Sequence, residues 1–290
     1  MNLNFVCCNV CGSSSYRVLA SVSFVVEGLQ IVQCNQCGFE FVNPQPSPSD
    51  LGGLYDEDYF RGGYLPFSDI RIDNFRKRVR MLEKSVKGGK LLDIGCGPGY
   101  FLAALDKNKW EKFGLDGSNF AVEHARKLLG PDGTIYLGDL REVALTNEKY
   151  DVATMFDVIG HLADPKTYLQ VTNQILKPAG WLLIQLPNFH SPWHRFNYYL
   201  SMHYRVNRLH LPTIVNRFTL PTLTRLLKAV GFEVVRVVGL SLPNLGKAGW
   251  KLRSIKRLAD GLGVVSSQQQ EYLVFAQKLT GTEIVSSGVL

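Results

Sequence analysis

Four cysteines occur in two matching spacings, Cys8-Asn9-Val10-Cys11 and Cys34-Asn35-Gln36-Cys37, each followed by a glycine. Two such knuckles supply four thiolates, the tetrahedral ligand set of a structural zinc ion. Gly12 and Gly38 suit the knuckles, because a residue free to take positive φ lets backbone amides turn toward the sulfurs. Zinc closed in by four thiolates has no open coordination position, so this ion would hold structure and not a reacting atom. The alternative is four ordinary thiols in a reducing cell. Cys7 is a spare beside Cys8, and Cys96 lies elsewhere in the chain.

The run Leu91-Leu92-Asp93-Ile94-Gly95-Cys96-Gly97-Pro98-Gly99 reads as a buried strand entering a glycine loop. Gly95, Gly97 and Gly99 let the backbone turn sharply and approach a ligand, and the helix that follows offers its positive N-terminus. Asp116 ends the next strand, where a carboxylate can accept both hydroxyls of a ribose. Asp139, in Gly138-Asp139-Leu140, ends the third, where a carboxylate can accept an adenine amino group. Loop, ribose acid and adenine acid at successive strand ends define an adenosine-shaped cleft.

These residues need a frame, and the 290 residues divide into four parts. Residues 1–43 read as a metal ribbon of short strands with a core of its own. Pro44-Gln45-Pro46-Ser47-Pro48 is an extended connector, since each proline disfavours helix in its predecessor. Residues 44–88 hold this linker and lid helices, including a basic helix over Ile70–Lys87. From residue 89 strands and helices alternate, the pattern of a parallel sheet covered on both faces. Strands are predicted at Leu91–Ile94, Phe113–Leu115, Ile135–Leu137, Val152–Phe156 and Trp181–Leu186, with helices at Tyr100–Lys109, Phe120–Leu129 and Pro165–Leu176. A helix at Thr222–Val230 and strands at Phe232–Val238 and Glu271–Lys278 follow.

Composition agrees with a soluble enzyme: 46% of residues are hydrophobic and 20% charged, and no apolar run nears the roughly 20 residues that span a bilayer. Nothing at the N-terminus reads as an export signal, so a reducing cytoplasm is expected. The net charge of +7 favours anionic partners without choosing among nucleic acid, nucleotide-linked substrates and a lipid surface.

The series LLDIGCGPGYFL, GLDGS, GDL, YDVATMFDVIGHLADP, LKPAGWLLIQLPN and RFTLPTLTRLLKAVGFEVV resembles the motifs of class I S-adenosylmethionine-dependent methyltransferases over about residues 54–278. The whole chain resembles the bacterial subgroup with an N-terminal zinc ribbon, associated with sugar, polysaccharide or secondary-metabolite tailoring. The resemblance implies a doubly wound, seven-stranded, mostly parallel α/β sheet of order 3-2-1-4-5-7-6 with the last strand antiparallel. It also implies S-adenosylmethionine held by Gly95 to Gly99 at its methionine part, by Asp116 at the ribose and by Asp139 at the adenine, with Asp93, Cys96, Gly117, Ser118, Leu140, Phe156 and Asp157 completing the cofactor-contacting set. Tyr55 and Tyr59 resemble an aromatic lid over the sulfonium, where cation–π attraction would act, although packing alone also accounts for them. A nicotinamide dehydrogenase would need a third glycine where Tyr100 stands.

The acceptor is expected after the fifth strand, in the aromatic stretch beginning Phe189-His190-Ser191, where this fold forms acceptor sites. The competing reading is a helical lid whose Phe196, Tyr198 and Tyr199 pack on the sheet. Relatives commonly carry Glu-His where this chain has Gly160-His161, so an acidic metal ligand is missing; Asp157 and His161 alone, at i and i+4 and on one face if the segment is helical, make a poor cation site. His161 is instead a candidate general base, as is His210 before Leu211-Pro212, against a purely structural role for either. Acceptor O- or C-methylation of a small molecule or sugar-linked intermediate follows. An RNA methyltransferase and a non-catalytic cofactor-binding partner are the alternatives, the first lacking an Asn-Pro-Pro-Tyr motif. Lys247–Leu258 reads as a basic amphipathic helix for a membrane surface or anionic substrate, or as a solvated helix docked by Trp250 and Leu258. Oligomeric state has no signature in this sequence.

Overall fold

The computed structural model describes residues 1–207, 210–240 and 270–280. The basic segment at 247–258 lies outside them. At the N-terminus stand β1 (Leu3–Asn4), β2 (Tyr16–Ser21), β3 (Gln30–Cys34), β4 (Glu40–Val42) and β5 (Gln45–Pro46). β2, β3 and β4 make an antiparallel meander, and β1 pairs with β5. Three helices follow: α1 (Pro48–Gly52), α2 (Glu57–Gly63) and α3 (Ser68–Leu82). Asp56 caps α2 by accepting the Tyr59 amide. α3 stops short of Lys87 because its last carbonyls find other donors: the Ser85 and Val86 amides close on Leu82, and Lys87 Nζ reaches Glu83.

Strands and helices then alternate through β6 (Gly89–Ile94), α4 (Tyr100–Ala104), β7 (Trp110–Asp116), α5 (Asn119–Leu129), β8 (Thr134–Leu137), α6 (Leu140–Ala144), β9 (Tyr150–Phe156), α7 (Pro165–Ile175) and β10 (Leu176–Pro187). After these come α8 (Pro192–Tyr204), β11 (Asn216–Arg217), α9 (Leu220–Ala229), β12 (Phe232–Leu240) and β13 (Glu271–Lys278). α4 is shorter than its predicted span: Asp106 accepts the Asn108 amide with its side chain, a local turn that competes with helix. α9 opens on a capping box between Thr219 and Thr222 with a proline in its first turn, which places its start before Thr222.

One sheet runs β12-β13-β10-β9-β6-β7-β8, with β13 antiparallel to both neighbours and the remaining pairs parallel. This is the predicted 3-2-1-4-5-7-6 order. Alternate strand residues face opposite ways. Leu92, Ala153 and Ile184 pack with α7 and α9, whereas Leu91, Val152 and Leu183 pack with α3, α4 and α5. Parallel strands place their C-terminal ends on one edge, and antiparallel β13 starts there, so the glycine loop, Asp116, Asp157, Pro187 and Glu271 meet.

The ribbon does not keep a separate core. β11 adds itself to the free edge of β4, giving the order β11-β4-β3-β2. Phe39 packs on Phe218 with ring centroids 4.7 Å apart. Cys8, Val10, Cys34, Phe39 and Phe41 therefore join the hydrophobic cluster that contains Leu92, Ile94 and Ile159. Length and spacing alone had implied two independent cores; a two-residue strand from the far end of the chain merges them.

Candidate functional site

The glycine loop follows β6, and its conformation requires glycine. Gly95 has φ of 70°, and a Cβ there would lie 2.5 Å from Val158 Cγ2. At Gly97 a Cβ would meet only the Phe60 ring, at 3.8 Å, so the space above the loop is an open cradle. Asp116 ties the cradle to the end of β7: its carboxylate accepts the Gly97 amide at 2.8 Å and the Ser118 amide at 2.9 Å. Burial raises the Asp116 pKa while these two bonds oppose the rise. Behind the loop, Asp93 accepts the Thr154 hydroxyl at 2.6 Å, and burial pushes it up to about 7. The Cys96 thiol is likewise driven upward by burial, which keeps it protonated and unreactive.

Asp139 caps α6 and binds Arg141 and the Tyr168 hydroxyl. Burial raises its pKa, but these donors more than offset that and hold it at about 2, so it stays an acceptor. Leu140 and Phe156 spend their side chains on packing: Leu140 is fully buried, and Phe156 lies 4.5 Å from Phe101 between ring centroids. Gly117 is open, since a Cβ added there would meet nothing within 4 Å. Replacing Asp116 with Ala should weaken S-adenosylmethionine binding by about 1–3 kcal/mol, since a charged acceptor is lost and two amides are left unpaired. Calorimetry giving wild-type affinity would remove Asp116 from the cofactor site.

Beside the loop lies a small cleft, partly open to solvent, lined by Asp157, His161, Gln185, Phe189, Asn216, Phe218 and apolar neighbours. Residues between β9 and α7 form turns and not a helix, so Asp157 and His161 are not related by a helical face. Asp157 itself has φ of 60°, strained for a non-glycine residue. The buried His161 ring places Nδ1 2.9 Å from the Thr213 carbonyl and 2.7 Å from the Tyr55 hydroxyl. A carbonyl only accepts, so a proton on Nδ1 satisfies Thr213, with the Tyr55 hydroxyl accepting from the same N–H, and this tautomer leaves the basic lone pair on Nε2. Burial lowers the His161 pKa to about 4 against the Thr213 bond, with nearby His210 lowering it further.

Tyr55 and Tyr59 stack edge to face at 5.2 Å, and Tyr59 meets Phe60, the ring over Gly97, at 5.1 Å. The two tyrosines thus connect the cradle with His161. His210 is exposed, has φ of 54° and does not line the cleft. On α8, Phe196 and Tyr199 are exposed and Tyr198 is half-buried, so only one of these three packs inward.

Three polar residues were missed by sequence reasoning. Gln185 Nε2 donates to Asp157 at 3.0 Å and Glu271 at 3.1 Å, while its Oε1 accepts Arg78 Nε at 2.7 Å. Register explains the cluster, since Gln185 sits opposite Phe156 on β9 and Leu273 on β13. Burial raises both carboxylates above their ordinary range, with Arg78 opposing. Asp157 Oδ1 is covered and has no hydrogen-bond partner among the described residues. A lone glutamine in the apolar run Trp181–Leu186 was the available signal.

In the ribbon, the ligand sulfurs of Cys8, Cys11, Cys34 and Cys37 all lie within 4.8 Å of one another. Zinc–sulfur bonds of about 2.3 Å place tetrahedral sulfurs about 3.8 Å apart, so the cluster fits the ion with little adjustment. Gly12 and Gly38 have φ of 77° and 73°, and their amides close each knuckle on the Cys8 and Cys34 carbonyls.

A family model described as a methyltransferase domain matches residues 68–237. The chain belongs to this methyltransferase family. The methyltransferase is 29% identical, over 53% of its length, to a Mycolicibacterium smegmatis protein named "Probable S-adenosylmethionine-dependent methyltransferase"; the match spans 55% of that protein. It is 24% identical to a ubiquinone biosynthesis O-methyltransferase of Nitrosospira multiformis, over 77% of this chain and 87% of that one. The chain thus spans about half the length of the first relative and most of the second. A crystal structure of a SAM-dependent methyltransferase from Thermotoga maritima shares the fold, with a TM-score of 0.56 at 20% identity over 76% of this chain and 97% of that chain. Among the described residues no helix is long and apolar enough to cross a membrane.

Proposed function

We propose that this methyltransferase O-methylates a hydroxylated small molecule, with His161 as the general base and the ribbon of residues 1–43 joined through 44–88 to the catalytic domain from 89 onward. The reading draws on the zinc-ribbon subgroup resemblance and on the similarity to the Nitrosospira O-methyltransferase. The observation that carries it is the His161 ring, which lines the cleft and whose Nδ1 contacts Thr213 and Tyr55, leaving Nε2 as the nitrogen that can take a proton.

Bound S-adenosylmethionine supplies an electrophilic methyl group. Gly95 to Gly99 would hold its methionine part, Asp116 its ribose and Asp139 its adenine, with Tyr55 and Tyr59 closing over the sulfonium. Phe189 and Phe218 would exclude water from the acceptor. As the acceptor oxygen took the methyl carbon and the carbon–sulfur bond broke to leave a neutral thioether, the hydroxyl proton would pass to Nε2 of His161, and alignment in the cleft would provide most of the acceleration.

The test is transfer of labelled methyl from S-adenosylmethionine to phenols, sugars and RNA as a function of pH. Transfer to a hydroxylated small molecule is expected. Transfer to RNA alone would refute the reading. The sequence alone implies an acid limb near the ordinary histidine pKa, but His161 is held near 4, so the rate should stay level to about pH 5 and fall below it. Folding stability should behave differently. Between about pH 6.5 and 4 the unfolded chain binds a proton at His161 that the folded chain refuses, so stability declines as pH falls through that window.

A further inference from the structure

We propose that the metal knuckle positions the acceptor cleft, through Asn9 acting on Asn216 and on the loop that carries His161. Asn9 stands between Cys8 and Cys11, and the middle residues of such a knuckle do not ligate the ion, which leaves its side chain available. Its Nδ2 donates to Asn216 Oδ1 at 3.1 Å and to the Ala163 carbonyl at 3.3 Å. The Asn216 Nδ2 then donates to the Leu162 carbonyl at 2.6 Å. Asn216 is fully buried and lines the cleft, so its amide has one orientation, set from the ribbon.

The backbone carries the same connection. The Gly160 carbonyl accepts the Val215 and Asn216 amides at 3.0 and 2.9 Å, and Val42 donates to Val215 at 2.9 Å. Gly160 to Ala163, the stretch containing His161, is therefore held between β11 and the knuckle. Knuckle geometry is fixed when four thiolates share one ion, and a side chain inside it inherits that rigidity. The ion itself takes no part in the reaction; its effect reaches the cleft as placement.

Nitrogen NMR of the histidine rings, on zinc-loaded full-length protein at neutral pH, tests this without an acceptor. Asn9→Ala and Asn9→Asp both remove the donor, and Asn9→Asp keeps the side-chain shape. Both variants should retain one zinc and wild-type S-adenosylmethionine affinity, while the His161 ring signals shift away from the Nδ1-protonated pattern. His124, on α5, should not shift and serves as the internal control. Unmoved His161 signals in both variants, with zinc retained, would overturn the proposal. The proposal rests on the cleft being the acceptor site, yet the two fail separately: normal turnover by a His161→Gln enzyme would refute the base, whereas the ring signals decide the coupling.

Discussion

A His161→Gln enzyme should lose about 10²- to 10⁴-fold in turnover while binding S-adenosylmethionine as the wild type does. Gln keeps a polar side chain of similar reach but cannot take a proton at the position of Nε2. The cofactor cradle should be indifferent, because the contacts proposed for it come from the glycine loop and Asp116. Turnover is measured under saturating cofactor, and affinity by calorimetry on the same preparation. A mutant that turns over at the wild-type rate across the accessible pH range would mean that the cleft works by placement alone. Loss of cofactor binding alongside turnover would instead make His161 a structural support, acting through Tyr55 on the aromatic lid.

Cys34→Ser should abolish stoichiometric zinc and reach well beyond the ribbon. Structural zinc sites of this kind contribute to folding outright, since no preformed site exists in the unfolded chain. Were the ribbon an independent module, the damage would stop at its boundary. Phe39, Phe41 and the ligand cysteines instead share a cluster with the β6 residues Leu92 and Ile94. We therefore expect a lower melting temperature for the whole chain in a single transition, with zinc content read by atomic emission. A protein purified without zinc that melts as the wild type would contradict both the ligand set and the shared core.

Much of the central sheet was legible because three of its strands end at or just before a residue whose type suggested a ligand contact. Gly95, Asp116 and Asp139 mark three successive strand ends, and the apolar runs before them specify the strands. The Cys8 and Cys34 knuckles were readable for the same reason: spacing within a few residues fixes geometry. What escaped was made by partners remote in sequence. Arg78, Gln185 and Glu271 come together only after β10 pairs with β13 and α3 covers that face. Asn9 and Asn216 are 207 positions apart, and neither carries a local signal. The depressed pKa of His161 was also hidden, because burial is a property of the assembled cleft and not of the histidine.

The strand pairing between β4 and β11 also bears on how the chain is made. Arg217 and Glu40 are separated by 177 positions, so on the ribosome the ribbon emerges early but its outer edge stays open until the far strand has been synthesised. During that interval β4 is an unpaired edge that carries Phe41 and follows Phe39, the kind of surface that invites intermolecular strand addition. Contacts of such long range also slow folding, because a large loop must close before they form. A nascent chain arrested before residue 216 should consequently expose apolar ribbon surface to chaperones, and one extended until Phe218 has left the exit tunnel should bury it.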